Sequence, residues 1–173
     1  MTSGPQLINY LEIRGVACAL IGGVALSAHG IARATLDTDV LVADSVVLDP
    51  TFWADFGGSQ APEIRCGDSG DPLLGAVRVT GTAEPVDVIV GRAPWTRQIL
   101  DRRIRVVVSD HSLPVVDRAD LVLLKLFAGG PQDLLDVRLL LAAEGPALQA
   151  EVEARLIQAP ASVREVWCRL ERP

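Results

Sequence analysis

The chain has 173 residues, of which 49% are hydrophobic and 22% are charged, and its formal net charge at pH 7 is −6. This composition excludes a disordered chain and supplies enough apolar side chains for one folded domain with a substantial core. No apolar run is long enough to cross a bilayer, and the first residues lack the basic and apolar regions of a secretion signal. We therefore expect a cytoplasmic protein without a membrane partner.

The first part of the chain alternates short apolar segments with glycine-containing turns. A helix is predicted over 5–14, ending at Gly15, and a buried strand over 17–21. Residues 22–30 are typical of a strand-to-helix turn followed by a short helix, and 38–42 of the next strand.

The middle of the chain predicts further strands. A short helix is expected over 50–56, followed by a loop over 57–72 that is rich in Gly, Pro and Asp. Strands are then predicted over 74–80, 85–90 and 104–108.

The character of the sequence becomes helical after Pro114. Asp117 is predicted to cap a helix that ends at Ala128, and Pro131 to begin another that runs to about residue 143. Two further helices are predicted, and an apolar stripe marks the last of them: Val163, Val166, Trp167 and Leu170. The pattern is therefore mixed α/β for about two-thirds of the chain and helical afterwards.

Charged side chains are distributed unevenly. Lys125 is the single lysine, and it lies in an otherwise apolar segment. Five arginines surround one tryptophan in a short segment: Arg92, Trp95, Arg97, Arg102, Arg103 and Arg105. The net negative charge argues against a broad electrostatic grip on nucleic acid, although such a cluster can provide a local one. An exposed helix and strand edge is the favoured interpretation, and an RNA-binding surface is the alternative.

Three aspartates carry the strongest chemical signal. Side chains alternate along a strand, so Asp37 and Asp39 are predicted to project from one face, where they repel each other unless a cation lies between them. Magnesium, which takes one or two protein carboxylates together with substrate phosphates, suits such a pair. Asp87 lies in the otherwise apolar segment PVDVIV. It is either salt-bridged or a third ligand, and in the second case it can also act as general base, provided that its strand neighbours that of Asp39.

A glycine pair precedes these aspartates. Gly22 and Gly23 have no side chains, so their backbone N–H groups can approach an anion closely at the start of the following helix. Thr35 or Ser27 can add a hydroxyl. The Walker and dinucleotide-binding glycine patterns are both absent from the sequence.

The order of these motifs resembles the polymerase-beta-type nucleotidyltransferase superfamily. The string HG-x2-R-x-T-x-D-x-D, from His29 to Asp39, is similar to a small bacterial subset that includes toxin-type enzymes of toxin–antitoxin and phage-defence systems. Lys125 followed by an Asp-rich helix also matches that subset, and the resemblance covers about residues 16–143. The chain departs from it in having Gly-Gly where many members have Gly-Ser, and Gly129-Gly130 where an arginine often follows the lysine-bearing helix.

The resemblance implies a fold and an assignment of roles. The fold is an α/β (α+β) one, a short mixed sheet with packed helices. From the sequence pattern we expect residues 1–116 to form this core and residues 117–173 a helical part packed on it, as a single compact unit. Gly22 and Gly23 would contact the phosphates of a nucleoside triphosphate, and Lys125 its triphosphate. The magnesium ligands would be the three aspartates.

Four further residues have more than one interpretation. Asp133 and Asp136 share one helix face and are expected to support the site, with Asp136 pairing with Arg33 or Arg138. Arg33 either touches the triphosphate or orients the aspartate loop through a carboxylate. His29 either contacts phosphate or, as we favour, ends its helix with the ring bonded to backbone.

The implied activity is magnesium-dependent transfer of a nucleoside monophosphate from a nucleoside triphosphate to an acceptor hydroxyl, with release of pyrophosphate. An RNA 3′ end, such as that of tRNA, or a protein is the favoured acceptor, as in a toxin with an antitoxin partner. An antibiotic-type small molecule is an alternative acceptor. The other alternative is a non-catalytic member of the fold that binds a nucleotide or a partner.

Overall fold

A computed structural model of the chain describes residues 4–33, 35, 37–56, 61–80, 84–92, 94–108 and 110–170. These residues form seven helices: α1 Gly4–Ile13, α2 Gly22–Ala28, α3 Trp95–Asp101, α4 Arg118–Ala128, α5 Pro131–Glu144, α6 Pro146–Leu156 and α7 Ala161–Leu170. They also form seven strands: β1 Cys18–Ile21, β2 Thr38–Val42, β3 Glu63–Cys66, β4 Leu73–Val79, β5 Val86–Gly91, β6 Ile104–Val108 and β7 His111–Val115. None of the described helices has the length and apolar character that a membrane span requires.

All seven strands belong to one mixed sheet with the order β3-β4-β5-β2-β1-β7-β6. β2 pairs in parallel with β5, and β1 in parallel with β7, whereas the other neighbours are antiparallel. The predicted fold class, a mixed sheet with packed helices and a helical C-terminal segment, is therefore confirmed.

The two central strands have chemically different faces. Val40 and Val42 of β2 and Val88 and Val90 of β5 are fully buried on one face. Alternation places Asp39, with Leu41, on the opposite face, and register pairing places Asp87 and Ile89 beside them. The buried valines anchor both strands in the core, so the aspartates are held on rigid elements.

Helix α4 follows its sequence signals closely. The Asp117 side chain accepts a hydrogen bond from the backbone N–H of Asp120, and Gly129 ends the helix with a φ of 67°. The side chains of Leu121, Leu123 and Leu126 are buried in the main hydrophobic core. The predicted bounds of this helix are correct.

Some elements differ from the prediction. The segment predicted as a loop over 57–72 contains strand β3, whose mostly exposed residues show no apolar alternation at this sheet edge. Strand β7 is not predicted from the sequence, because it contains Pro114. The short helix predicted over 50–56 is instead a 3₁₀ helix, Pro50–Trp53, which follows another 3₁₀ helix, Ser45–Leu48.

A buried ion cluster joins the start of α4 to α3 and α6. Asp120 is fully buried, and Arg102 binds both of its carboxylate oxygens at 2.8 Å. Arg155 from α6 lies 2.8 Å from the Asp120 carboxylate and 2.6 Å from that of Asp117. Burial raises the pKa of Asp120, although both arginines oppose the rise. The cluster therefore stabilises the packing of the C-terminal helices only while both arginines remain.

We expect Arg155→Met to lower the free energy of unfolding by about 2–3 kcal/mol, because it leaves a buried carboxylate with one counter-ion. Arg118→Met removes a half-exposed pair with Glu144 and is the matched control, with an expected loss of less than about 1 kcal/mol. Urea denaturation measures both values. Equal losses would show that the buried cluster contributes no more to the free energy of unfolding than the half-exposed pair does.

Candidate active site

Four charged residues lie in one row across four strands of the sheet. Glu63 of β3 pairs in register with Arg78 of β4, Arg78 with Asp87 of β5, and Asp87 with Asp39 of β2. Register partners project from the same face, with their strands about 4.8 Å apart. The strands of Asp39 and Asp87 are therefore adjacent, and two like charges stand directly opposite each other.

Asp37 joins this row from the residue before β2. Its side chain is 47% exposed, and its Oδ1 lies 3.6 Å from Nη2 of Arg78. The same guanidinium donates from Nη1 to Asp87 Oδ2 at 3.2 Å. One arginine thus bridges two of the three predicted aspartates. Arg78 is not predicted from the sequence, because its position beside Asp87 depends on strand register.

Asp39 is the most perturbed carboxylate of the row. Burial, followed by the charges of Asp87 and Asp37, raises the pKa of Asp39 to about 6, whereas Lys125 opposes the rise. The ionised form of Asp39 is therefore disfavoured, first by the loss of water around it and then by the neighbouring carboxylates. A cation bound beside it would oppose both effects.

The glycine pair fits closely against the aspartate segment. Gly22 begins α2 with a φ of 64°, and a Cβ atom there would overlap the carboxylate of Asp39. A Cβ atom on Gly23 would lie 2.8 Å from Cβ of Thr35, whose hydroxyl donates to the Asp37 carbonyl at 2.9 Å. Both positions therefore require glycine for the approach of the aspartate segment, whatever ligand they also contact.

Lys125 lies on α4 with only 9% of its side chain exposed. Its Nζ contacts Asp133 Oδ1 at 2.9 Å and Asp136 Oδ2 at 2.8 Å. Arg33 donates to Asp136 Oδ1 at 2.7 Å. Although burial acts to raise it, the pKa of Asp136 is lowered by hydrogen bonds from Lys125 and Gln132 and by the charge of Arg33. The structure therefore places Arg33, Lys125, Asp133 and Asp136 in one linked ion-pair network.

His29 lies apart from the carboxylate row. Its Nε2 donates to the Val116 carbonyl at 2.8 Å, and the residue follows the last residue of α2. Burial lowers the pKa of His29, so the neutral ring is favoured. His29 therefore ends α2 with its ring bonded to backbone, as the favoured interpretation predicts.

The carboxylate row has suitable donors for magnesium. Within the described ranges, no three His, Cys, Asp or Glu side chains form a ready-made metal site. Magnesium does not require one, because it binds through one or two carboxylates, water and substrate phosphates. Asp39 and Asp87, adjacent, oxygen-bearing and mutually repelling, meet that requirement.

A cavity of about 850 Å³ begins beside Asp39. Its polar lining includes Asp39, Lys125 and Arg92, and the rest is mostly apolar, with Trp95 and Phe127 in contact at a ring separation of 5.3 Å. The volume is that of a pocket for a drug-sized ligand. Neither aromatic residue was predicted as part of the site, because they come together only through the packing of α3 on α4.

Three solved proteins have structures similar to this one. The antibiotic-resistance factor ANT(2'')-Ia has a TM-score of 0.57 at 11% identity over 88% of this chain and 90% of its own. Its crystal structure in complex with adenylyl-2''-tobramycin has a TM-score of 0.56 at 12% identity, covering 87% of this chain and 94% of its own. A Thermotoga maritima protein assigned as a nucleotidyltransferase has a TM-score of 0.51 at 12% identity, covering 80% and 90% of the two chains. The chain has a nucleotidyltransferase-like fold.

The third of these proteins is the lincosamide antibiotic adenylyltransferase LnuA in its lincomycin-bound form. It has a TM-score of 0.50 at 14% identity, covering 78% of this chain and 91% of its own. No protein-family model and no curated protein sequence matches the chain. At these identities the similarity establishes the fold.

We expect Gly22→Ala to lower the free energy of unfolding by about 3 kcal/mol or more, because it adds a clash with Asp39 to the cost of a left-handed backbone. Gly30→Ala is the matched control. Gly30 has a φ of 87° with nothing within 4 Å of an added Cβ, so a loss of about 1–2 kcal/mol is expected. Urea denaturation compares the two variants, and equal losses would contradict the close approach of Asp39.

The pKa of Asp39 predicts a pH-dependent stability without metal. Its pKa of about 6 in the folded protein lies above the ordinary value of 3.8. The stabilisation from its protonated form is therefore present below about pH 4 and lost as the pH rises through 6. In EDTA, Asp39→Asn should raise the melting temperature more at pH 8 than at pH 5. Asp55→Asn removes a carboxylate that is 86% exposed and controls for net charge. An Asp39→Asn effect of equal size at both pH values would contradict the raised pKa of Asp39.

Proposed function

We propose that the chain is a magnesium-dependent nucleotidyltransferase that moves a nucleoside monophosphate from a nucleoside triphosphate to an acceptor hydroxyl. The observation that carries this proposal is the register pairing of Asp87 with Asp39, which packs against Gly22 and lines the cavity. Two adjacent carboxylates on rigid strands cost stability when no cation is bound. A cation and a triphosphate bound at this site would offset that cost.

The reaction forms one bond and breaks one. The acceptor oxygen bonds to the α-phosphorus, the bond from the α-phosphorus to the bridging oxygen of the β-phosphate breaks, and pyrophosphate leaves. Asp87 accepts the proton of the attacking hydroxyl as general base. Asp37, Asp39 and Asp87 would hold magnesium, which would neutralise charge on the triphosphate.

The remaining residues of the site bind and position. Gly22 and Gly23 let the aspartate segment pack against the start of α2, and we assign their backbone N–H groups to the phosphates. Lys125 lines the cavity and adds positive potential, while Asp133, Asp136 and Arg33 hold it in place. Thr35 fixes the aspartate segment through the Asp37 carbonyl. His29 acts only as a structural support.

The cavity supports a small-molecule acceptor. It is largely apolar and begins beside Asp39, so it suits a compound that presents a hydroxyl to the carboxylates. The tobramycin adduct of ANT(2'')-Ia and the lincomycin complex of LnuA are small-molecule examples on the same fold. We therefore place the antibiotic-type alternative ahead of RNA or protein.

The arginine cluster gives less support to an RNA acceptor than its sequence implies. Arg102 and Arg105 are held by Asp120 and Glu12. Arg92 donates to backbone carbonyls of Asp71 and Asp68, and Arg103 to that of Leu100. Four of these five arginines are therefore engaged within the chain. Toxin activity on RNA or protein, with an antitoxin partner, is the second candidate and rests on the sequence resemblance.

The direct test incubates the protein with each α-³²P-labelled nucleoside triphosphate, magnesium and three separate acceptor pools: a small-molecule extract, total RNA and a protein extract. We expect label in the small-molecule pool with at least one nucleotide, and none when EDTA replaces magnesium. Asp39→Asn and Asp87→Asn should each reduce transfer by more than about 100-fold, because they remove a ligand or the base.

Asp55→Asn is the control, because Asp55 is 86% exposed and does not belong to the carboxylate row. It should retain transfer within about twofold of the wild-type protein. Label in RNA or protein would favour the toxin candidate. Nucleotide binding without transfer to any pool would make the chain a non-catalytic nucleotide-binding member of the fold.

A further inference from the structure

Arg78 occupies a position that nothing in the proposed reaction uses. It lies on β4, directly in register with Asp87 and one strand farther from Asp39. Its guanidinium contacts Asp37 Oδ1 and Asp87 Oδ2 from two different nitrogens, at 3.6 Å and 3.2 Å. These oxygens belong to two of the three carboxylates that would bind magnesium.

A guanidinium and a divalent cation compete for these oxygens. Magnesium requires ligand oxygens at about 2.0–2.1 Å in near-octahedral geometry. The planar, permanently charged guanidinium instead spans two carboxylates with separate N–H groups. It neutralises both acids in the absence of metal, so a metal ion that enters must displace it from at least one of them.

The surroundings leave Arg78 free to move. Its side chain is 43% exposed, so few packing contacts are lost when it leaves the carboxylates. Glu63, its register partner on the other side, is 61% exposed and offers an alternative anion. The ion pairs of Arg78 join part-exposed groups and are therefore weak enough to be exchanged.

We propose that Arg78 is a built-in counter-ion that competes with the divalent cation for Asp37 and Asp87. The inference rests on the proposed metal site. Its consequence is that metal alone binds weakly, whereas metal and triphosphate bind together, because the phosphates supply further metal ligands and another anion for the released guanidinium. Arg78 is a positioning residue that keeps the acids ordered between turnovers.

The test is a titration of free Mn²⁺, followed by its electron paramagnetic resonance signal, against the protein without nucleotide. Arg78→Gln should bind Mn²⁺ about three- to tenfold more tightly than the wild-type protein, the range expected for removing half-exposed ion pairs. Arg78→Lys should lie between them, because an ammonium cannot span both carboxylates as a guanidinium does.

Arg65→Gln is the matched control. It removes the same charge from β3, where Arg65 is 83% exposed and pairs with Glu63, and should leave Mn²⁺ affinity within twofold. Asp39→Asn should weaken binding in every background, which assigns the measured ion to this site. Thermal unfolding verifies that each variant is folded. If Arg78→Gln does not fold, the Mn²⁺ affinity of Arg78→Lys is the test.

Equal or weaker Mn²⁺ binding by both Arg78 variants would overturn the counter-ion role while leaving the metal site intact. Equal tightening by Arg65→Gln would also overturn it, because the effect would then come from net charge. No Mn²⁺ binding by any variant would overturn the proposed metal site and this inference together.

Discussion

The parallel pairing of β2 with β5 is the constraint on which the site depends. It places Asp39 directly opposite Asp87, at a separation where two carboxylates repel, and buried valines on the reverse face prevent the strands from sliding apart. Burial, and then the charges of Asp87 and Asp37, raise the pKa of Asp39. A fold that keeps Asp39 and Asp87 side by side favours the binding of a positive charge at this point of the sheet.

The rest of the site can be understood as a response to that charge. Arg78 neutralises Asp37 and Asp87. The network of Lys125, Asp133, Asp136 and Arg33 holds a buried cation, Lys125, near Asp39. Gly22 permits the Asp39 carboxylate to pack against the start of α2. The apolar cavity then provides a defined place beside the acids. A ligand that carries phosphates and a hydroxyl can bind there.

Local signals explain which features could be predicted from the sequence. The bounds of β2 and α4 follow from apolar alternation and from the cap at Asp117, and the aspartates stand out because they interrupt apolar strands. Strand β3 and Arg78 could not be found in this way, since an exposed edge strand has no alternation and a charge pair across strands depends on register. The cavity arises from the packing of distant helices, which leaves no local pattern.

The central claim is that the carboxylate row binds a nucleoside triphosphate through a divalent cation. The most direct measurement is the melting temperature with a non-hydrolysable triphosphate, with magnesium or with EDTA, for the wild-type protein and Asp87→Asn. We expect a rise of about 5 °C or more at saturating nucleotide, seen only with magnesium and lost in the variant. A rise of the same size in EDTA, or one retained by Asp87→Asn, would contradict it.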